Sequence, residues 1–317
     1  MKEIGGFPEL ELNRGREYHA EALSLNLGRT AFEYVLKARE VRKILLPYFT
    51  CEVMLESTAR AGTEVEFYHV NERLEPVFDF ESKGKSDWFL YTNYFGIKDR
   101  TIKELALTVS NLIIDSSQAF YPKPVNGVDT FYSPRKFFGV PDGGYLYSDA
   151  FLDVEPETDN SSGRFAHLTG RIENGAEASY PFFRETERLL SFEPLKRMSA
   201  ITSRLLQNIA YDVIREKRRR NFEILNQALG FINLLGIDPD AGQVPMVYPF
   251  LAERTDLRRL LLDKRIYTAT YWPEVLPKVS PDSAEHNLVT RLVPLPIDQR
   301  LNDEDMEFIA KTVLQNV

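Results

Sequence analysis

Between residues 30 and 148, short runs of β-branched and aromatic residues alternate with stretches whose apolar positions recur every three or four residues. The runs at 42–47, 64–68, 88–93, 111–115, 128–133 and 144–148 predict strands. Apolar residues at helical spacing in 29–39 and 50–61 predict helices between them. Such alternation is the pattern of βαβ units, so the expected fold is α/β with a mainly parallel central sheet flanked by helices. The segment 155–175 is polar and aperiodic and predicts an exposed loop. Helical spacing returns over 177–229, broken near Phe192-Glu193-Pro194, and the segments 244–250, 257–262, 290–295 and 303–314 predict a small C-terminal α+β domain. The expected division is a large α/β domain over 1–175, then linking helices and the small domain over 176–317.

Composition narrows what such a chain can do. With 317 residues, 43% of them hydrophobic, it can bury a substantial core, and no apolar run is long enough to span a bilayer. A net charge of −8 argues against general nucleic-acid binding, which needs a basic surface. The one basic cluster, 215–220, lies in a helical pattern and reads as a solvated helix face. Four histidines stand far apart without cysteine partners, so no metal site is expected. The first residues lack the basic start and apolar stretch of a secretory signal, and the single Cys51 cannot form an internal disulfide; both favour the cytoplasm.

In open α/β sheets ligands bind beyond the carboxyl ends of the strands, which singles out the polar residues where the runs stop. One run ends in Asn93, another in Asp115, and a third in Ser133 with Lys136 three residues on. A carboxylate and a lysine at one sheet edge can simply be an ion pair tying two loops. The setting of Lys136 adds a second reading, because Phe137 and Phe138 follow it and Arg135 precedes it. An amine desolvated by such neighbours is a nucleophile toward carbonyls. Gly28-Arg29-Thr30 opens the first helix, where free backbone N–H groups and a hydroxyl can receive a phosphate or merely cap the helix. No Gly-rich turn follows the first strand, which weighs against a dinucleotide-binding oxidoreductase.

Several of these segments together resemble the DegT/StrS-type sugar aminotransferases, a pyridoxal-phosphate (PLP) family with the aspartate-aminotransferase fold. Gly28-Arg29-Thr30-Ala31 is similar to the family's phosphate turn, and Leu46-Pro47-Tyr48-Phe49-Thr50 to the strand end leading to its ring-stacking position. The stretch 91–96 matches the next strand end. Asp115-Ser116-Ser117-Gln118-Ala119 resembles the family's Asp-x-x-Gln-Ala, and 133–144 resembles its lysine segment with the acidic Gly-Gly turn. The resemblance implies that Lys136 anchors PLP as the Schiff-base lysine, that Asp115 pairs with the pyridine nitrogen, and that Gln118 lies by the ring hydroxyl. It places Gly28, Arg29, Thr30, Thr50, Cys51, Asn93 and Ser133 around the cofactor.

This chain also departs from the family pattern. Cys51 stands where the family has an aromatic ring over the cofactor, with Tyr48 or Phe95 as substitutes. Ser133 lies closer to the lysine than the family's phosphate serine, with Arg135 as a replacement, and Leu195 stands where an asparagine reaches the partner subunit. The implied activity is transfer of an amino group from an amino-acid donor to a keto-sugar, nucleotide-linked in most of the family, by a homodimer with shared active sites. The alternative is a non-catalytic or regulatory relative that keeps the fold.

Overall fold

The computed structural model describes residues 4–237 and 242–317. Its first half alternates strand and helix: β1 (Leu23–Leu25), α1 (Gly28–Ala38), β2 (Lys43–Pro47), α2 (Val53–Ala61), β3 (Glu64–Val70), β4 (Pro76–Val77), β5 (Trp88–Thr92), α3 (Asp99–Thr108), β6 (Leu112–Ser116), β7 (Asp129–Tyr132) and β8 (Gly144–Tyr147). These strands form one sheet in the order β1-β8-β7-β6-β5-β2-β3-β4. The five central strands, β3, β2, β5, β6 and β7, run parallel, and the flanking β4, β8 and β1 are antiparallel.

Alternate residues of the central strands feed two cores. Ile44, Leu46, Leu90 and Ile113 pack with Phe32 and Val35 of α1, while Leu45, Phe89, Tyr91, Leu112 and Ile114 face the opposite layer. In β2, β5 and β6 both faces are covered, which is why these runs are largely apolar, whereas β3 begins with alternating exposed and half-buried residues. The chain passes from β2 outward to β3 and then returns to β5 on the other side of β2. That reversal opens a crevice beyond the carboxyl ends of β2 and β5, the usual ligand position in such sheets.

One close approach fixes the wall of this crevice. Leu27, just ahead of α1, bridges to Gly143 at the turn before β8. A Cβ on Gly144 would lie 2.3 Å from the Leu27 carbonyl oxygen, so only glycine lets the two backbones meet. Gly28 is less constrained, since its Cβ would sit 3.3 Å from that of Ser133, a tight contact that a small shift could relieve.

The second half consists of α4 (Ala166–Ser191), α5 (Ala200–Leu206), α6 (Tyr211–Leu229), β9 (Tyr248–Leu251), α7 (Leu257–Asp263), α8 (Ala284–Arg291), β10 (Leu292–Leu295) and α9 (Asp303–Leu314). The antiparallel pair β9 and β10 packs with α6, α7 and α9 around a separate core of Leu225, Phe250, Leu261, Val293 and Met306. Two expectations fail in this half. The segment 155–175 is not loop throughout, because α4 begins at Ala166 and bends only at Gly175, whose φ of 80° and ψ of −177° are non-helical. Gly170 sits in this helix facing Ser179, a tight fit rather than a chain break. The basic run 215–220 is not uniformly solvated either: Arg218 is only 2% exposed. Its guanidinium stacks 4.7 Å from the Phe137 ring and donates to Gln299 Oε1 at 3.1 Å and the Met246 carbonyl at 3.0 Å. Among the described residues no helix is long and apolar enough to cross a membrane, and no cluster of metal-ligating side chains occurs.

Candidate functional site

Five strand-end segments meet at the carboxyl edge of the sheet. Asp115 follows Ile113 on the α1 face of β6 and is 6% exposed. Its Oδ1 accepts the Ser117 N–H at 2.8 Å. Burial pushes the Asp115 carboxyl above the usual aspartate range, partly offset by the Ser117 hydrogen bonds and by the Lys136 charge. Lys136 closes a short 3-10 turn, Pro134–Lys136, after β7. It is not desolvated as its aromatic neighbours suggested, because Phe137 and Phe138 turn into the core and leave Lys136 exposed on the cavity wall. Cys51, just beyond β2, belongs to the same electrostatic group. Burial raises its thiol's pKa, while Lys136 pulls it down. The thiol is therefore a packed neutral group rather than a reactive thiolate.

Beside these residues lies a concentration of positive charge. The amides opening α1 have no side-chain cap and no acidic residue in the first turn. Arg29 Nη1 and Arg135 Nε are both buried without a hydrogen-bond partner. The nearest carboxylate to Arg29 is Glu56 at 3.6 Å, outside hydrogen-bond reach. Burial lowers the Arg29 pKa, with Glu56 and Glu187 acting against it. Arg135 pairs through Nη2 with Glu187, a residue of α4 that sequence reasoning did not single out. Ser133 is buried against Gly28 at the same corner.

Other expected members are placed elsewhere. The Thr30 hydroxyl is fully buried and committed: it donates to Asn26 Oδ1 at 2.7 Å and accepts the Leu27 N–H at 3.1 Å. It shapes the start of α1 and has nothing left for a phosphate. Asn93 is tied locally, donating one amide N–H to Asp99 at 2.7 Å and accepting the Lys98 N–H at 3.0 Å. The register pairs Thr92 with Asp115, so Asn93, one residue on, lines the opposite face with Ile114 and Tyr132. Gln118 is buried and gives its Oε1 to the Phe95 N–H at 2.8 Å, which leaves only its amide nitrogen for other partners. Thr50 is buried at the end of β2, its N–H turned back onto the Tyr48 carbonyl. Tyr48 stacks on Phe67 with ring centroids 5.0 Å apart and is not free to cover another ring. Phe95, fully buried with φ of 56°, packs against Tyr271.

A cavity of about 830 Å³ opens in front of Lys136. Its walls come from three regions: Arg135 to Val140, the α4 residues His167, Arg171 and Phe183, and Tyr267, Tyr271, Asp298 and Arg300 from the C-terminal part. His167 is mostly buried, and its Nδ1 lies 3.2 Å from the Thr186 hydroxyl. That hydroxyl already donates to the Phe182 carbonyl at 2.9 Å, so Nδ1 carries the proton. Burial and the Arg135 charge hold His167 below the usual histidine range, as a neutral ring.

No family model matches this sequence, and no curated protein does. Solved structures are similar throughout the chain. DesV from S. venezuelae, solved in complex with a ketimine intermediate, shares 15% identity at a TM-score of 0.63, covering 93% of this chain and 84% of its own. The sugar aminotransferase CalS13 from Micromonospora echinospora shares 14% identity at 0.63, covering 94% and 88%. The aminotransferase TlmJ from Streptoalloteichus hindustanus shares 17% identity at 0.64, covering 92% and 84%. The fold is that of the PLP-dependent aminotransferases.

Proposed function

We propose that this chain is a PLP-dependent aminotransferase that moves an amino group from an amino-acid donor to a keto-sugar, nucleotide-linked in the full substrate, as a cytoplasmic homodimer. The observation that carries the reading is the grouping at one sheet edge of a buried carboxylate, Asp115, a solvent-reachable amine, Lys136, and two buried arginine nitrogens without a hydrogen-bond partner, Arg29 Nη1 and Arg135 Nε. A buried carboxylate without a cation is a liability in a protein with no use for it. A protonated pyridine nitrogen relieves that burial, and a phosphate satisfies Arg29 Nη1 and Arg135 Nε. The residues therefore fit the cofactor, and fold similarity to a sugar aminotransferase supports the substrate class. The apolar side chains Ile172, Phe182 and Phe192, exposed along and just beyond α4, support a second copy covering that face.

When bound, the cofactor supplies a protonated ring that accepts the electron pair left on the donor's α-carbon. The protein's part is distributed. Asp115 keeps the proton on the ring nitrogen. Arg29, Arg135, Ser133 and the amides from Gly28 onward hold the phosphate at the positive end of α1. Lys136 Nζ would be the amine that anchors the cofactor's aldehyde carbon and, when free, would be the base that moves a proton from the donor's α-carbon. Thr50, Cys51 and Gln118 complete the proposed surroundings of the ring.

The test is a half-reaction. Protein loaded with PLP and freed of excess is mixed with glutamate and then with other amino acids. Loss of the visible cofactor band with one equivalent of oxo acid formed per site is expected; a stable band and no oxo acid with any donor contradicts the aminotransferase reading.

A further inference from the structure

The phosphate corner described above holds an anion of its own. Glu187 reaches it from α4 and ion-pairs with Arg135 Nη2, leaving Arg135 Nε and Arg29 Nη1 unused. Burial alone would raise its carboxyl, yet Arg135, Arg29 and Lys136 together bring it below the usual glutamate range, so it is a carboxylate at neutral pH. Three cations from two separate loops thus converge on one side chain, and they are the cations assigned above to the cofactor.

Helix α4 has few other anchors, one of them the exposed Glu177 carboxylate, which accepts from the Tyr267 hydroxyl and ion-pairs with Arg265. Across its length only His167, Ser179, Thr186 and Leu190 are buried. Its C-terminal end is tied to α2 by Arg60, which donates to the Ser191 and Glu193 carbonyls at 2.7 and 3.2 Å. Gly175 interrupts the helix between His167 and Arg171 on one side and Ser179, Phe183 and Glu187 on the other. Segments with few buried contacts open at low free-energy cost.

We infer that Glu187 is a resident stand-in for the cofactor's phosphate: it holds Arg135 and closes α4 over the site in the phosphate-free protein, and incoming phosphate displaces it and loosens α4. This inference rests on the reading of the corner as a phosphate site. Glu187 holds the Arg135 guanidinium through Nη2 while phosphate would take the unused Nε of the same group, so the two anions crowd one guanidinium and repel each other; binding of one weakens the hold of the other, and the coupling is reciprocal. Cofactor loading and the shape of the substrate cavity are thereby linked through one side chain.

The test compares wild type with Glu187→Gln, which keeps the side chain's size and removes its charge. Each is titrated with PLP and with pyridoxal, which lacks the phosphate, and amide hydrogen exchange is followed in residues 176–191. The variant is expected to bind PLP about fivefold or more tightly, with pyridoxal affinity unchanged. Exchange in 176–191 is expected to speed up when wild type takes PLP, and to be fast already in the phosphate-free variant. If PLP binds wild type and the variant equally, or binds the variant more weakly, the inference falls while the cofactor reading stands. If PLP binds neither protein, both fall.

Discussion

Asp115→Asn is expected to lower the rate of amino transfer by roughly 100-fold or more while raising the melting temperature of the cofactor-free protein. The two effects share one cause. Asp115 is buried, and the Ser117 hydrogen bonds and the Lys136 charge offset only part of that burial, so ionising it costs free energy that folding must offset. Asparagine keeps the shape and the acceptor for the Ser117 N–H and removes the charge. It also removes the carboxylate that would hold a proton on the ring nitrogen, hence the loss of rate. The pH dependence separates this from a packing effect. A carboxylate whose folded pKa is raised imposes no penalty below the ordinary aspartate range, where both states are protonated, and the full penalty above its folded pKa. The stability advantage of the variant should therefore shrink as pH falls toward about 4. An advantage independent of pH would assign the effect to packing.

His19 sets the second large effect, outside the site. It is fully buried among Phe120, Tyr132 and Tyr145, with ring centroids 4.8, 4.3 and 5.3 Å away. Its Nε2 lies 2.7 Å from the Phe120 carbonyl oxygen, which can only accept, so Nε2 carries the proton and Nδ1 accepts from the Tyr147 hydroxyl at 3.1 Å. Burial, with the Lys123 charge adding to it and the Phe120 hydrogen bond opposing it, drives the His19 pKa down to about 4. The unfolded chain takes up this proton near pH 6.5 and the folded chain does not, so stability is lost as pH falls from about 6.5 to about 4. The loss approaches about 3 kcal/mol at the acid end. Denaturant unfolding of wild type and His19→Gln at several pH values measures it. The glutamine keeps a donor for the Phe120 carbonyl and cannot be protonated, so the stability difference between the two proteins should narrow or reverse toward acid pH. Parallel curves would contradict the assignment.

The strands of the sheet were legible as short runs rich in β-branched and aromatic residues, largely apolar in β2, β5 and β6 where both faces are buried, and the runs ending near Asp115 and Lys136 placed those residues at the carboxyl edge. Their order in the chain also carried the family resemblance, which agrees with the fold. What the sequence left ambiguous was the use of short polar side chains at element ends. Thr30 and Asn93 stand where a ligand residue would, yet both direct their side-chain hydrogen bonds to residues at most six positions away, the commoner fate of such residues. Charged helix positions were opaque for a different reason. Arg218 sits in a run that reads as solvated, and only the packing of α6 against Phe137 and Gln299 buries it. Glu187 is one charge among many on α4, and nothing nearby in sequence marks it, because Arg135 reaches it from a distant turn. Glycines at 170 and 175 made the start of α4 look like loop, whereas one fits a tight contact and the other makes a bend.

The central claim is that Lys136 holds the cofactor, and the most direct measurement is an absorbance scan with added PLP for wild type and Lys136→Ala, followed by borohydride reduction and peptide mass mapping. The account predicts a visible band in wild type that reduction fixes covalently on the peptide containing Lys136, and neither band nor mass in the variant. No band at saturating PLP, or a mass on another lysine that survives in the variant, would contradict it.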